Sequence, residues 1–377
     1  MRPGDAPPGM RIKPQYDRTV LVLQGGGAMG AYQAGVFEGL VETGYVPDWV
    51  VGVSIGAINA ALIAGNTAAH RVQRLREFWD TVSSAVPVSV PVYFPPLHSL
   101  FNRTSAALSA VFGVPGFYTP RVPPPTLLPD GHPDASSFYD TRPLRQTLEH
   151  LVNFTIIKQK HMRLSMGAVN VATGNSQYFD NGHDHIGPEH VMASGALPPA
   201  FGPVKVGNDY FWDGGIVSNS PLSQVLDEEP HLKGLVIQID LFSASGALPA
   251  NIDQTMERQK DIMYSSKTRF NTRRILEEEE LRSTVQRVLK KLPAELGSDE
   301  DVALLKSLTA GAQVDIVHLI NRRYAYTLAS KDNDFSRGTV DELWEAGLAD
   351  ARRTFATTEW GAGEAWGDGI RVFDIAQ

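Results

Sequence analysis

The chain has 377 residues, enough for two domains or for one large domain with an additional lobe. Hydrophobic residues make up 42% of it and charged residues 20%, a composition typical of a globular protein with a core. The formal net charge of -8 at pH 7 argues against a nucleic-acid partner, because neutralising phosphates requires a basic surface.

The chain contains no cysteine, which excludes disulfides, thiolate metal sites and a cysteine nucleophile. The first 19 residues are rich in proline and charge and lack the apolar segment of a signal peptide. No run of about 18 apolar residues occurs, so the sequence predicts no membrane-spanning helix. We therefore expect a cytoplasmic protein.

The first half of the chain predicts alternating strands and helices. Residues 19–24 (TVLVLQ) and 48–53 are short, apolar and β-branched, as in buried strands. Residues 28–43 show helical spacing and stop near Gly44, and residues 55–64 form a helix of small residues. This order predicts an α/β fold with three layers, in which helices cover both faces of a largely parallel sheet.

Residues 87–133 break this pattern. They hold eleven of the chain's 25 prolines together with several aromatic residues, among them Tyr93, Phe94, Phe101, Phe112, Phe117 and Tyr118. So many prolines neither continue a helix nor pair in a central strand, and long loops of this kind often serve as lids. We predict an ordered lid-like insertion over an apolar substrate.

The later elements complete the domain prediction. A helix is expected at residues 142–152, two strands around the turn at 173–175, and a buried strand at 234–241. Beyond about residue 248 the sequence becomes charged and helix-forming, with a late strand at 315–321 and a late helix at 338–355. The predicted organisation is a lead-in (1–18), a catalytic domain (19–245) containing the insertion (87–133), and a mainly helical C-terminal lobe (246–377).

A glycine-rich loop, GGGAMG, follows the first predicted strand. Gly25, Gly27 and Gly30 match the G-x-G-x-x-G pattern of dinucleotide-binding proteins. That interpretation requires an acidic residue at the end of the second strand, to hold a ribose. The only nearby acid, Asp48, lies at the start of that strand, which counts against a bound dinucleotide.

The second strand runs instead into Gly52-Val53-Ser54-Ile55-Gly56. G-x-S-x-G between a strand and a helix is typical of a nucleophile elbow, in which Gly52 and Gly56 leave room for a sharp turn and an exposed Ser54. Parallel neighbouring strands would bring the glycine loop beside this serine. The amides of Gly25, Gly26 and Gly27 would then form an oxyanion hole for an acyl oxygen.

A serine nucleophile also needs a base, and the best candidate is Asp213 in the segment YFWDGG. An aromatic strand end would deliver this carboxylate, and Gly214 and Gly215 would let other backbone approach closely. Poor solvation would make the carboxylate a stronger base than in water. Taken alone, the segment fits a solvated D-G-G turn equally well.

Four segments in the same order resemble the patatin-like phospholipase family, in the form with a C-terminal extension that occurs in bacteria. They are GGGAMG (25–30), GVSIG (52–56), ASGALPPAFGP (193–203), and DGG (213–215) with NSP (219–221) behind it. The resemblance implies a catalytic dyad of Ser54 and Asp213, lipid acyl hydrolase activity, and no metal, cofactor or catalytic histidine. Two positions depart from the family pattern: Met29 replaces a frequent basic residue and Gln24 a frequent acid. The loss of positive charge puts in doubt a role of the loop in binding a lipid phosphate.

We interpret the candidate histidines as structural or surface residues and not as catalytic ones. His231 and His318 are the residues placed late enough for a Ser–acid–His triad, but the first follows a surface turn and the second alternates within a strand. His183 and His185 are interpreted as solvated loop residues and not as metal ligands.

The sequence therefore predicts a serine hydrolase of lipid carboxylic esters, which binds a lipid or other ester substrate and can associate peripherally with a membrane or lipid surface. Two alternatives stay open. One is a hydrolase with the same dyad acting on a storage polyester such as polyhydroxybutyrate; the other is a nucleotide-binding or scaffolding protein without turnover.

Overall fold

The computed structural model describes residues 16–86, 105, 109–219, 221–293, 295–296, 299–309, 312–322, 331–356 and 369–374. Most of the predicted lead-in (1–15) and much of the predicted insertion (87–104 and 106–108) lie outside the described residues. The aromatic residues Tyr93, Phe94 and Phe101 are among them.

The strands and helices alternate in the first half of the chain. The strands are β1 (Arg18–Leu23), β2 (Trp49–Val53), β3 (Thr119–Pro120), β4 (Tyr139–Asp140), β5 (Arg163–Asn170), β6 (Ser176–Asp180), β7 (Val204–Val206), β8 (Asp209–Asp213), β9 (Lys233–Asp240), β10 (Gln313–Ile320) and β11 (Gly369–Asp374). The α-helices are α1 (Gly30–Thr43), α2 (Ile55–Ala64), α3 (Arg71–Val82), α4 (Arg142–Leu151), α5 (Phe154–Lys158), α6 (Pro188–Ser194), α7 (Leu222–Glu228), α8 (Ile252–Leu289), α9 (Glu300–Thr309) and α10 (Arg337–Ala356). Each element predicted from the sequence is present within a few residues of its expected bounds.

Nine of the described strands form one sheet, in the order β11-β10-β9-β1-β2-β5-β8-β7, with β6 paired to β5. The strands from β11 to β5 run parallel, whereas β6, β7 and β8 pair in antiparallel fashion. The largely parallel sheet predicted from the sequence is thus confirmed, with an antiparallel part at one side.

Burial on both faces of the sheet explains the continuous apolar runs of its strands. In β1, Leu21 and Leu23 belong to one core cluster, whereas Val20 and Val22 belong to the other. The first cluster includes residues of α1, α2, α3 and α10, and the second includes residues of α7 and α8. Parallel strands covered on both faces are expected to be apolar at every position. The three-layer α/β/α arrangement is therefore confirmed.

The region after residue 245 is mainly helical, as predicted, but it also completes the sheet. Its strand β10 pairs with β9, and β11 pairs with β10. Its helix α10 lies against α1 so closely that a Cβ on Gly35 would stand 1.9 Å from the carbonyl oxygen of Trp344. Residues on both sides of position 245 thus share one sheet and one core, and the domain boundary there remains a prediction.

The strand register places the loops of the site side by side. Leu23 at the end of β1 pairs with Gly52 of β2 on one side and with Ile239 of β9 on the other. The residues that follow these three parallel strands therefore meet at one edge of the sheet. Within the described part of the chain, no helix is both long and apolar enough to cross a membrane.

Candidate active site

Ser54 occupies a sharp turn between β2 and α2. Its φ of 58° lies in the left-handed region, which among described non-glycine residues is shared only by Lys160. Strain of this kind persists only where the surrounding structure enforces it, and it is common at functional sites. The serine side chain is half-buried, and α2 begins directly after it.

The glycines on either side of Ser54 are required by close backbone contacts. A Cβ at Gly52 would lie 2.3 Å from the carbonyl oxygen of Gly56, and a Cβ at Gly56 would lie 2.4 Å from that of Leu23. Contacts below about 3 Å with backbone atoms cannot be relieved by moving a side chain. The structure therefore explains why both predicted elbow positions are glycine.

Ser194, at the end of α6, accepts hydrogen bonds from the turn that carries Ser54. The amide of Ser54 donates to the carbonyl oxygen of Ser194 at 3.1 Å and to its Oγ at 3.2 Å. That Oγ in turn donates to the carbonyl oxygen of Gly167 in β5, at 2.6 Å. Ser194 is completely buried. The sequence included this residue in a matching segment but gave no sign of its function, which depends on how α6 packs.

The glycine loop lies directly against Ser54. A Cβ on Gly25 would stand 2.9 Å from the Cβ of Ser54 and 2.5 Å from Oδ1 of Asn219. The Asn219 side chain donates to the carbonyl oxygen of Gly25 at 2.9 Å, and the Gly25 amide donates to the Asn219 carbonyl oxygen at 3.4 Å. Asn219 therefore fixes the loop beside the serine; Ser220, which follows it, lies outside the described residues.

The three predicted oxyanion-hole amides differ in what they contact. The Gly25 amide is directed at Asn219, whereas the amides of Gly26 and Gly27 have no hydrogen-bond acceptor among the described residues. Gly27 has a φ of 56° and begins a short 3₁₀ turn at Gly27–Met29 that leads into α1. Amides without an internal acceptor are the ones available to an incoming oxyanion, which favours Gly26 and Gly27 over Gly25.

Asp213 ends β8 and is brought to the same edge of the sheet. Its amide donates to the carbonyl oxygen of Ala196 at 3.0 Å, and its Oδ1 accepts the amide of Gly215 at 2.7 Å. The side chain also interacts with that of Ser54, which lowers the pKa of the carboxyl. A Cβ on Gly214 would lie 2.6 Å from the Gly167 carbonyl oxygen, so this position tolerates no side chain.

Burial changes the acid–base behaviour of Asp213. The residue is 1% exposed, and the loss of solvation raises the pKa of its carboxyl from an ordinary 3.8 to about 6. The interaction with Ser54 and the hydrogen bond from Gly215 stabilise the carboxylate and offset part of that increase in the pKa. A carboxyl group with a pKa near 6 is ionised at neutral pH and is a stronger base than a solvated one.

A cavity of about 650 Å³ opens over these groups. Gly25, Gly26, Gly27, Ser54 and Asp213 form one part of its lining. Aromatic side chains dominate the rest: Phe117, Tyr118, Tyr139, Phe201, Phe242, Tyr264 and Phe335. The volume is in the range of small-molecule sites, and the apolar walls suit a hydrocarbon chain.

The region after residue 245 supplies a whole wall of this cavity. Met256 and Tyr264 of α8 line it together with Asp253, and so do Asp332, Asn333 and Phe335. Tyr264 packs on Phe242 with ring centroids 4.7 Å apart. Sequence reasoning missed this contribution, because nothing in the local sequence of α8 indicates which face meets a site more than 200 residues earlier in the chain.

The two residues that depart from the family pattern do not line the cavity in the described part of the chain. Gln24 is buried, and its Oε1 accepts the amide of Leu241 at 2.6 Å, which joins the end of β1 to the end of β9. Met29 is buried in the core.

No histidine is found among the described lining residues. His231, His183 and His185 are exposed, and His318 lies in β10 beside Gln238 of β9. The described residues contain no group of three or more His, Asp or Glu arranged to hold a metal ion.

Comparisons with known proteins add family information. A sequence model of the patatin-like phospholipase family matches residues 21–226, and a second model, described as patatin phospholipase, matches residues 262–365.

Relatives share short segments with the chain. A patatin-like phospholipase domain-containing protein of Pyricularia oryzae is 34% identical over 84 residues, which is 22% of this chain and 11% of that protein. Patatin-like phospholipase domain-containing protein 6 of Homo sapiens is 38% identical over 89 residues, which is 22% of this chain and 6% of that protein. The chain thus matches about a tenth or less of the length of these relatives. The solved structure of VipD from Legionella pneumophila aligns with 89% of this chain and 68% of its own, at 13% identity and a TM-score of 0.32.

Proposed function

The chain belongs to the patatin-like phospholipase family, and on that premise we propose that it is a serine hydrolase of lipid carboxylic esters that uses Ser54 and Asp213 as a catalytic dyad. One observation carries the proposal. Ser54, in a strained conformation, and the buried Asp213, which interacts with its side chain, both line an aromatic cavity. Beside them lie the amides of Gly26 and Gly27, which have no hydrogen-bond acceptor among the described residues.

The first half of the reaction forms an acyl-enzyme. Asp213 takes the proton of the Ser54 hydroxyl as its Oγ attacks the ester carbonyl carbon. The amides of Gly26 and Gly27 stabilise the negative charge that develops on the carbonyl oxygen. When the tetrahedral intermediate collapses, the bond to the leaving alcohol breaks and Asp213 returns the proton to the alcohol oxygen.

The second half releases the acid. A water molecule takes the place of the alcohol, and Asp213 accepts its proton while the hydroxide attacks the acyl carbon. Collapse of the second intermediate breaks the bond to Ser54 and restores the serine hydroxyl. The raised pKa of Asp213 suits both steps, because the same carboxyl must accept and donate a proton near neutral pH.

The dyad is tested by hydrolysis of p-nitrophenyl butyrate and palmitate. We expect Ser54→Ala and Asp213→Ala to lose on the order of 10³-fold or more in kcat/KM. Ser84→Ala, an exposed serine, and Asp209→Asn, an exposed acid on the same strand as Asp213, serve as matched controls. His231→Ala and His318→Ala test for a catalytic histidine.

The outcome separates the mechanisms. Full activity of Ser54→Ala, or complete loss in a histidine variant that remains folded, would contradict the dyad. A fluorophosphonate probe that labels the wild type but not Ser54→Ala would show an activated serine even if neither nitrophenyl ester is turned over. Absence of labelling together with no hydrolysis of phospholipid or polyester would favour a protein without turnover.

The proposal includes contact with a lipid surface at the cavity mouth. Leu197 and Met256 line the cavity and are also 38% and 53% exposed. One turn before Met256 on α8, Ile252 is exposed as well. We expect Ile252→Asp to weaken sedimentation with phosphatidylcholine vesicles while leaving hydrolysis of soluble nitrophenyl butyrate unchanged. Equal sedimentation of the two proteins would contradict this part of the proposal.

A further inference from the structure

The charged groups around the cavity are unevenly distributed. Asp213, Asp253 and Asp332 line it, whereas no lysine, arginine or histidine is among the lining residues that the structure describes. Of these acids, Asp213 is assigned to proton transfer, and Asp253 and Asp332 come from the region after residue 245. The charge on that wall is therefore a property of the C-terminal region.

Asp332 lies beside the glycine loop and is paired with a lysine. Its backbone carbonyl oxygen would stand 2.1 Å from a Cβ on Gly27, so the two chain segments are in direct contact. Its carboxylate oxygens accept Nζ of Lys260 at 2.8 and 2.9 Å. Lys260 belongs to α8 and is not among the described lining residues. Asp332 is thus a lining residue whose carboxylate is paired with an ammonium group from outside the described lining.

The negative charge of Asp332 affects two other residues that line the cavity. Burial is the main cause of a raised pKa at Tyr118 and Tyr264, and the negative charge of Asp332 raises the pKa of both further. These tyrosines lie on different parts of the lining, one in the segment before β3 and the other on α8. An anion bound among them would meet the same repulsion.

Proximity makes this repulsion large enough to select substrates. Two like charges several ångströms apart near a partly buried site repel strongly enough to change a binding constant by about tenfold or more. The phosphate of an anionic lipid would enter a cavity whose described charges are negative, without a described cation in the lining to receive it. An uncharged glyceride pays no such penalty.

Resting on the proposed function, we propose that the Lys260–Asp332 pair selects substrates by charge, so that the enzyme cleaves esters with an uncharged leaving group in preference to those with an anionic one. Removing the charge of Asp332 would remove a negative charge from the lining and favour anions. Removing Lys260 would leave the carboxylate uncompensated and disfavour them further.

The experiment compares kcat/KM for 1,2-dioctanoylglycerol and for 1,2-dioctanoyl phosphatidylglycerol in the same detergent micelles. The proteins are wild type, Asp332→Asn, Lys260→Met and the double variant. Glu42→Gln and Arg352→Met are the matched controls. They remove one negative and one positive charge from an exposed ion pair, whose atoms are 2.7 Å apart on the surface. Each ratio is measured at low and at high salt.

We expect the wild type to prefer the neutral lipid by about tenfold or more at low salt. Asp332→Asn should shift the ratio about tenfold towards the anionic lipid, and Lys260→Met should shift it the opposite way. The double variant, which carries neither charge, should lie between the two single variants and lose most of the wild-type preference, and high salt should shrink every difference. The control variants should leave the ratio unchanged.

A purely structural role of the pair gives a different result. If both single variants lower kcat/KM for the two lipids in the same proportion, the pair only holds the segment on the glycine loop and charge selection is wrong. A wild-type preference for the anionic lipid would overturn it as well.

Binding separates failure of this inference from failure of the proposed function. Dissociation constants of 1,2-di-O-octylglycerol and its phosphate, which contain no ester, are measured on the same four proteins. A preference for the neutral ether that shifts with the variants, without turnover of any ester, would uphold charge selection and reject hydrolysis. Turnover without any charge preference would do the reverse.

Discussion

The two sides of the cavity are built by different means. On the reacting side, the glycine loop, Ser54 and Asp213 each follow or end a strand of the central sheet. Their positions are set by backbone hydrogen bonds and by contacts that admit only glycine. The facing wall, called here the C-terminal wall, consists of residues from α8 and of residues 332–335. An ion pair joins these two parts to each other, and ring contacts join them to the rest of the cavity.

This difference indicates that the two sides of the cavity have separate functions. Backbone geometry tolerates little change, because a shift of about 1 Å in a reacting group can cost a hundredfold in rate. Side chains on a helix can be exchanged without moving the sheet. We therefore expect the reacting side to fix the chemistry and the C-terminal wall to adjust the choice of substrate.

The largest effect is expected from Asp213→Asn. Loss of the base should lower kcat/KM by about 10³-fold or more, as removal of a member of a catalytic constellation usually does. In the wild type, kcat/KM should decrease as the pH falls below about 6, because the Asp213 carboxyl then becomes protonated. Rates from pH 4.5 to 8 check this, and a profile without a step near 6 would contradict the assigned base.

The same substitution should stabilise the protein. A carboxyl pKa raised by burial means that the folded chain binds more protons than the unfolded one between pH 3.8 and about 6. Stability is therefore lost as the pH rises through that window, and the loss is complete above it. At pH 8, Asp213→Asn should raise the free energy of unfolding by about 1–3 kcal/mol. Urea denaturation at pH 8 and pH 4 measures it, and the gain should be much smaller at pH 4.

The next largest effect is expected from Gly52→Ala. The new methyl group would stand 2.3 Å from a backbone oxygen, and overpacking of this kind should cost about 3 kcal/mol of stability together with most of the activity. Gly174→Ala is the control, since its φ of 72° is strained for alanine but nothing lies within 4 Å of the added Cβ. Equal destabilisation by the two changes would show that space at the elbow is not the limiting factor.

Ser194→Ala should have an intermediate effect. It removes the hydroxyl that links the Ser54 amide to Gly167 and leaves the backbone bond to Ser54 in place. We expect about a tenfold decrease in kcat and a loss of about 1 kcal/mol in stability. An unchanged KM would indicate that the hydroxyl positions the nucleophile. An unchanged kcat would show that the backbone bond alone suffices.

The smallest effect is expected on the C-terminal wall. Tyr264→Leu removes the ring that packs on Phe242 but keeps an apolar lining. KM for p-nitrophenyl palmitate should increase by roughly threefold to tenfold, because a ring pair contributes about 0.5–1.5 kcal/mol, while kcat stays close to that of the wild type. A kcat loss as large as that of Ser194→Ala would mean that this wall takes part in the chemistry.

The sequence predicted the parts of the molecule that depend on local patterns. The β1–α1–β2–α2 order, the elbow glycines and the end of α1 at Gly44 follow from periodicity and turn chemistry within about 50 residues. Asp213 alone was ambiguous, since a D-G-G turn has the same local sequence whether it is solvated or buried. Family resemblance favoured the dyad, and its role as a base remains a prediction.

The rest depends on contacts between distant residues. The strand at β10 was predicted, but not that it pairs with β9, because a parallel strand carries no local mark of its neighbour. Lys260 and Asp332 stand 72 residues apart, and their pairing follows from the packing of α8. The function of Ser194 likewise could not be predicted, because it depends on how α6 packs against the amide of Ser54.

The pairing of β9 with β10 has a practical consequence for truncation. A chain cut after residue 245, at the predicted domain boundary, would turn β9 from an inner strand into an open edge. Its residues Leu235, Val236, Ile237 and Ile239 are fully buried in the intact sheet. An apolar edge with unpaired amides and carbonyls recruits other chains, so such a fragment should aggregate before its catalytic competence could be measured.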